Sequence, residues 1–276
     1  MGIKLVRNWL FLSKQGKDEY INMLAHSVGQ HPMNTDDFDY YYDVKVDNRV
    51  PVLRGILKYK IMRNCLEDQR EFFYVDTGYL GNQVGAGNRR GDKWYHRIVR
   101  NDLQTTQIRA CASDRWQRLD IRLHSRRHGR RVILAAPDEK PCRYYGIDRD
   151  QWLAQTVAAL QSHTDRPVVI RERASRRLDR TINDPLSQVL TDDVHCLVTF
   201  NSIAAVESIV AGVPAIVLAP SHCAQPVAST TVADIENPLW PDQALREAWV
   251  HSLAYQQYHV REMRDGTAMR MIEKCE

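Results

Sequence analysis

"LVTFNSIAAVESIVAGVPAIVLAP" occupies residues 197–220. An apolar run ends at Phe200, two uncharged polar residues follow at Asn201 and Ser202, and a small-residue helical stretch covers 203–212. Gly212 and Pro214 then lead into a second apolar run. Strands that are apolar on both faces fit a parallel sheet covered by helices on either side. In such sheets ligands bind beyond the carboxyl ends of the strands, and Asn201 and Ser202 sit at one of those ends. Ser202 reads as the N-cap of the following helix, whose free N–H groups and positive dipole end suit a phosphate. Glu207, one turn on, can accept hydrogen bonds from a ribose. A Ser202 that only caps and a Glu207 that only faces water fit the same residues.

Working outward, "RVILAAP" from Arg131 reads as a strand and "DRDQWLAQTVAALQSHT" (148–164) as a helix, with Trp152, Val157 and Leu160 at helical spacing. "RPVVIRERA" is a second doubly buried strand, "DPLSQVL" a short helix opened by Asp184 before Pro185, "HCLVTFNS" a third strand and "VPAIVLAP" a fourth. The first half is less regular. "SKQGKDEYINMLAHSVGQ" and "LKYKIMRNCLED" read as helical; "FDYYYDVKV", "VPVLRGI" and "EFFYVDTGYLGN" read as strands, the last running into a loop. The expectation is an α/β fold of two Rossmann-like lobes with a cleft between them. The division falls near 125–131, giving a first lobe of 1–130 and a second of 131–256, with the helical segment 257–276 packing back on the first.

The chain has 276 residues, 43% hydrophobic and 26% charged, which is ordinary for a globular protein and argues against disorder or a fibrous repeat. Its amino terminus, "MGIKLVRNWLFLSKQGKDEY", lacks the long apolar centre of a signal peptide. No stretch approaches the roughly 20 apolar residues needed to span a bilayer, so the expected location is the cytoplasm. Cys65, Cys111, Cys142, Cys196, Cys223 and Cys275 form no C-x-x-C pair, which favours reduced thiols over a disulfide scaffold or a zinc site. The net charge of +4 hides an asymmetry: residues 89–131 hold 13 Lys and Arg against 4 Asp, interleaved with Trp94, Tyr95 and Trp116. Such a segment can track a phosphate backbone and stack on bases. Internal pairing with the acidic remainder of the chain is the competing reading.

The pattern "FNSIAAVESIVAGVPAIVLA" resembles the donor-site signature of GT-B glycosyltransferases, especially capsule-polysaccharide-type transferases and small phage-encoded, DNA-modifying relatives. In these a strand ends in Asn-Ser-Thr, with a glutamate and Gly-x-Pro following. Here Ile203 replaces the threonine, so that position offers no hydroxyl. The resemblance extends from "RVILAAP" to "IVLAP", and nucleotide-sugar epimerases share the same layout. It implies a nucleotide-sugar donor, a UDP-sugar first among them, as co-substrate with no further cofactor. On this reading Asn201, Ser202 and Glu207 bind the donor. Arg171 and Arg173, on one side by strand alternation, hold its phosphates with Lys140 and Arg143 from "APDEKPCRYYG".

Direct displacement at an anomeric carbon requires a base for the incoming hydroxyl, and the resemblance places that base in the first lobe. Asp76, at the end of an apolar strand in "FFYVDTGYLGN", is the first candidate and His96 in "KWYHRIV" the second, ahead of Asp43 and His31. No D-x-D sits in a convincing loop, "DFD" at 37–39 matching by spacing alone. Metal-independent transfer is therefore expected, the leaving diphosphate being stabilised by arginines and the helix terminus. For the acceptor, a hydroxymethylated pyrimidine in phage DNA joins the transferase reading to the basic segment, with Arg89, Arg90, Arg126, Arg127, Arg130 and Arg131 holding double-stranded DNA. A polysaccharide acceptor, or a nucleic-acid-binding protein without chemistry, are the alternatives.

Overall fold

The structure is a computed structural model of the chain, and it describes residues 7–82, 94–172, 186–190 and 193–274. Two compact units divide it: Met1–Leu103 with Tyr255–Glu276, and Gln104–Ala254.

The first unit opens with β1 (Trp9–Leu12), α1 (Glu19–Ser27), β2 (Val50–Arg54), α2 (Tyr59–Glu67), β3 (Phe73–Thr77) and β4 (Tyr95–Arg100). α1 starts where Asp18 accepts a hydrogen bond from the Ile21 amide at 3.2 Å, the usual way of satisfying a free N–H at a helix start. β1, β2 and β3 run parallel, and β4 turns back antiparallel to β3. The stretch "FDYYYDVKV", which reads as a strand, instead forms a π-helical turn at Tyr41–Val46. Asp39 accepts from the Tyr41 and Tyr42 amides, and this local side-chain capture outweighs the β preference of the tyrosines.

The second unit contains α3 (Asp114–Arg118), β5 (Arg131–Ala135), α4 (Glu139–Tyr145), α5 (Arg149–His163), β6 (Val168–Arg171), α6 (Leu186–Val189), β7 (Val194–Thr199), α7 (Ala204–Val210), β8 (Ala215–Val217) and α8 (Gln243–Tyr255). Its four strands are all parallel, in the order β6-β5-β7-β8. Every residue of β7 is buried, as its apolar sequence requires. β6 differs from expectation: it is the edge strand, with Val169 and Ile170 exposed rather than doubly buried. An apolar run by itself does not tell an edge from a centre.

The chain then returns to the first unit with β9 (Gln257–His259), α9 (Val260–Arg264) and α10 (Thr267–Lys274). β9 pairs antiparallel with β4 and completes a five-stranded sheet in the order β1-β2-β3-β4-β9. Tyr258, Met263, Met269 and Ile272 join Trp9, Phe11, Ile21, Leu24 and Phe73 in one apolar core. The Trp9 indole N–H donates to Glu273 at 2.6 Å, tying the last helix to the first strand.

The division at 103/104 lies earlier in the chain than the expected 125–131. The cause is long-range hydrogen bonding: the His124 amide donates to Val210 O at 2.9 Å, Arg127 to Gly212 O at 2.7 Å and Arg130 to Asp193 O at 2.9 Å. Irregular residues 124–130 are thereby bound to α7 and β7. Gly212 takes part directly. Its φ is +91°, and a Cβ there would lie 2.2 Å from Ser125 O, so both backbone conformation and close approach require glycine.

Candidate functional site

In the second sheet β5 is followed by β6 on one side, and β7 lies on its other side. The chain order therefore reverses between β5 and β7, and ligands of open α/β sheets bind beyond the carboxyl ends of strands at such a point. Ala135 of β5 faces Thr199 of β7 across the register, and the Thr199 hydroxyl donates to Ala135 O at 3.3 Å. The two loops beyond these residues, 136–138 and 200–203, are therefore neighbours. Phe200 anchors the second of them against the rings of Tyr145 and Trp152.

The 200–203 loop is held through its carbonyls. Gln104 Nε2 donates to Asn201 O at 2.7 Å, while Gln104 Oε1 accepts from the Cys223 amide at 3.2 Å. His222 Nδ1 accepts from the Ala224 amide at 3.0 Å, which leaves Nε2 to donate to Ser202 O, also at 3.0 Å. Both Gln104 and His222 are buried. A buried, satisfied network of this kind gives the loop a single conformation. The Asn201 side-chain amide, half-exposed, has no partner among the described residues. Ser202 Oγ accepts from the Ala204 amide at 3.2 Å. That bond resembles capping, although Ile203 occupies the N-cap and α7 spans only Ala204–Val210. Glu207 is half-exposed on α7.

Arg149 braces the loop beyond β5. Its Nε donates to Pro137 O at 3.0 Å and its Nη2 pairs with Glu172 at 2.5 Å, just past β6. The Glu172 hydrogen bond outweighs desolvation and raises the guanidinium pKa above its ordinary value. Arg171 ends β6 half-exposed, and Lys140 and Arg143 stand exposed on α4. Arg173, expected to align with Arg171, lies outside the described residues. The second unit thus brings Asn201 and Ser202 to the switch point, with Lys140 and Arg143 on the helix that follows β5.

The chain is similar in fold to two Kdo transferases. Thermosulfurimonas dismutans KpsC, beta Kdo 2,4 transferase, matches with a TM-score of 0.52 and 12% identity, covering 93% of this chain and 93% of that one. Thermosulfurimonas dismutans KpsC, beta Kdo 2,7 transferase, matches with a TM-score of 0.53 and 8% identity, covering 96% of this chain and 100% of that one. No family model and no curated protein matches the chain. At these identities the likeness establishes a two-unit α/β fold of glycosyltransferase type.

The expected catalytic residues lie in the first unit. His96 on β4 is fully buried, its ring centroid 3.9 Å from that of Tyr20. An enclosed ring does not meet the need of a base to reach a substrate proton, and it makes His96 a core residue. Asp76 accepts from the Tyr74 hydroxyl at 2.7 Å, the Thr77 amide at 2.7 Å and Arg97 Nη2 at 3.2 Å. Burial pushes the Asp76 pKa up, but Arg97 and the two hydrogen bonds outweigh it and leave the carboxyl below its ordinary range. A carboxylate stabilised in this way is a weak proton acceptor. The Asp76–Arg97 pair links β3 to β4, and Arg97 also donates to Thr77 O at 2.5 Å and Leu103 O at 3.1 Å. Asp43, a weaker candidate, is buried and paired with Arg49. His31, the other weaker candidate, stacks edgewise on His26.

The arginines expected to hold nucleic acid are largely engaged within the unit. Arg130 Nε and Arg131 Nε grip the two oxygens of Asp193 at 3.0 and 2.9 Å. Arg127 Nη1 donates to Leu190 O at 3.1 Å, and Arg126, half-buried, lies near His195 and Cys196. Arg89 and Arg90 lie outside the described residues. Charge counted along a segment overlooks a partner 63 residues away. Among the described residues no cluster of three or more His, Cys, Asp or Glu is placed to hold a metal ion, and no helix is long and apolar enough to cross a membrane.

Gln104 and His222 are the site residues that sequence reasoning missed. His222 had a signal: "APSHCA" follows an apolar strand just as "FNS" does, so it falls at the same edge of the sheet. Gln104 had none, because it comes from irregular chain before the unit's first strand.

Proposed function

We propose that the chain is a glycosyltransferase that takes its sugar from a nucleotide-activated donor bound at the carboxyl edge of the second sheet, beside Asn201 and Ser202. The observation that carries this reading is a fold shared over nearly the whole length with two proteins described as Kdo transferases. The open Asn201 amide at the β5/β7 switch point supports it. In this reading the amide and Ser202 contact the donor, Glu207 accepts from its ribose, and Arg171, Arg173, Lys140 and Arg143 neutralise its phosphates. Gln104 and His222 act as positioning residues that fix the loop before the donor arrives, avoiding the cost of ordering it on binding. Asp76 is assigned a structural role, for the reasons of charge and hydrogen bonding given above.

For the acceptor we favour a saccharide hydroxyl, by analogy with the two Kdo transferases. A hydroxymethylated pyrimidine in DNA is the second reading, favoured by the cationic surplus of residues 89–131.

The test is to incubate the purified protein with a panel of nucleotide sugars, UDP-sugars and nucleotide-activated Kdo included, and with oligosaccharide or hydroxymethylated DNA acceptors. Expected is nucleotide release together with a sugar mass increment on the saccharide. An increment on DNA nucleosides would move the assignment to the second reading, and no binding or turnover with any donor would end the transferase reading. A rate unchanged by EDTA is the outcome expected of metal-independent transfer.

A further inference from the structure

The turn after β2 carries two cations that the transferase reading leaves without a task. Arg54 ends β2, and Lys58 follows four residues later, just before α2. Lys58 Nζ donates to Leu12 O at 2.7 Å, which sets the ammonium over the carboxyl end of β1. A guanidinium has five N–H donors, yet Arg54 makes one hydrogen bond among the described residues, a 3.5 Å contact with Asp18. Its Nε is buried with no hydrogen-bond partner. Asp18 is a divided partner, since its other oxygen caps α1. The Tyr20 ring lies against the Arg54 guanidinium at 4.5 Å and against His96, which fixes where the guanidinium sits. Between the two cations Gly55 has φ +85°, and a Cβ there would meet nothing within 4 Å. Among the described residues the space beside Gly55 is therefore open.

Arg54 and Lys58 also act on each other. Burial lowers the Lys58 pKa, with Asp18 opposing that shift and Arg54 adding to it. Two nearby cations with donors left over, which face Asp18 in common and, for Arg54, the Arg97-paired Asp76 as well, are electrostatically incomplete, and a bound anion relieves both deficits. Arg97 and Asp76 on the adjacent strands pair with each other, so they add little net charge. Ligands of α/β sheets bind beyond these same strand ends.

We propose that Arg54 and Lys58 form an oxyanion-binding site at the carboxyl ends of β1 and β2, which takes the carboxylate or phosphate of a ligand. The transferase reading enters only in naming that ligand as an acidic acceptor; anion capture itself does not depend on it.

Pyridoxal 5′-phosphate is a suitable probe. Its aldehyde condenses with a neutral amine, water is lost, and borohydride reduction makes the product permanent for peptide mapping. Lys58 should be labelled ahead of the exposed Lys60 on the adjoining helix. Inorganic phosphate or glucuronate should protect Lys58, and glucose should not. Protection by phosphate alone identifies a phosphorylated ligand, and protection by glucuronate an acidic sugar. The Arg54→Gln variant should leave Lys58 reactive and weaken protection about tenfold, the loss expected on removing a charge-assisted hydrogen bond. Protection by neither anion, equal protection by glucose, or unchanged protection in Arg54→Gln would overturn the site. Intact protection in a protein that turns over no donor would overturn the transferase reading and leave the site standing.

Discussion

At the carboxyl edge of β7 the carbonyls of Asn201 and Ser202 are held by neutral buried donors, Gln104 and His222, whereas charge organises the corresponding edge of the first sheet, through Asp18 with Arg54 and Asp76 with Arg97. The two solutions respond differently to solvent. A neutral network is indifferent to ionic strength and leaves one uncharged amide for a ligand. Ion pairs that reach the surface are screened by salt and titrate with pH. The first edge therefore suits an anion and the second a polar, hydrogen-bonding group beside phosphates.

Substitutions can break this contrast, and the largest expected effect is on the frame of the second edge. Gly212→Ala combines a φ of +91° with a Cβ 2.2 Å from Ser125 O. It should cost about 3 kcal/mol or more in urea unfolding, by driving residues 124–127 off α7. Asp76→Asn comes next. It leaves Arg97 (8% exposed) without its carboxylate, but Asp76 itself is 35% exposed, so the expected loss is ~2 kcal/mol, between surface and buried pairs. A stable Asp76→Asn protein that has lost all turnover would instead restore Asp76 as the base. Gln104→Ala removes two buried hydrogen bonds and should cost about 1–3 kcal/mol. Donor affinity, measured by calorimetry, should fall with it, while phosphate protection of Lys58 stays unchanged.

Acid should separate the two kinds of interaction further. His195 on β7 is buried, with Nε2 2.7 Å from Ile235 O. Burial, aided by Arg166, lowers its pKa despite the Ile235 contact. A depressed imidazole pKa stabilises the fold at pH above the unfolded value of 6.5, and that contribution is lost as pH falls through the lower folded value. Asp76 follows the same sign from a lower start, holding above its unfolded value of 3.8 and failing below it. Thermal unfolding from pH 7 to pH 3 should therefore show a first decline that His195→Gln flattens, with the Asp76 contribution untouched until the carboxylate range. The smallest effect belongs to Arg130→Ala. Its side chain is 84% exposed, and the loss of its pair with Asp193 should stay below about 1 kcal/mol. A pronounced drop in the salt dependence of DNA binding in that variant would revive the nucleic-acid reading.

The second unit was largely legible because its elements follow one another in sequence, each strand apolar and each helix next in line, so local pattern and neighbour order coincide. The strands β5, β7 and β8 and the placement of Asn201 and Ser202 at a strand end all follow from that pattern. In the first unit β4 was hidden within a segment notable for its arginines, and β9 within a stretch that reads as helical. β9 owes its strand character to pairing with β4 across more than 150 residues, which no local window contains, and β4 pairs with β3 on its other side across the intervening residues 78–94. The tyrosine run at 40–42 failed for the opposite reason: one aspartate's side chain captured the local amides and overrode propensity.

Sequence alone determined the α/β class, the parallel sheet and the polar loop at the end of β7, because those rest on hydrophobic period and on residues a few positions apart. Tertiary structure decided where the units divide, which strand lies at an edge, that Arg127, Arg130 and Arg131 find partners within their own unit, that Asp76 pairs with Arg97, and that His96 is buried. Each of those outcomes depends on a partner distant in sequence, Asp193 for Arg130 and Arg131, Arg97 for Asp76, Tyr20 for His96. Whether a charged or titratable group is held or left free is a property of its surroundings, and only folding supplies those.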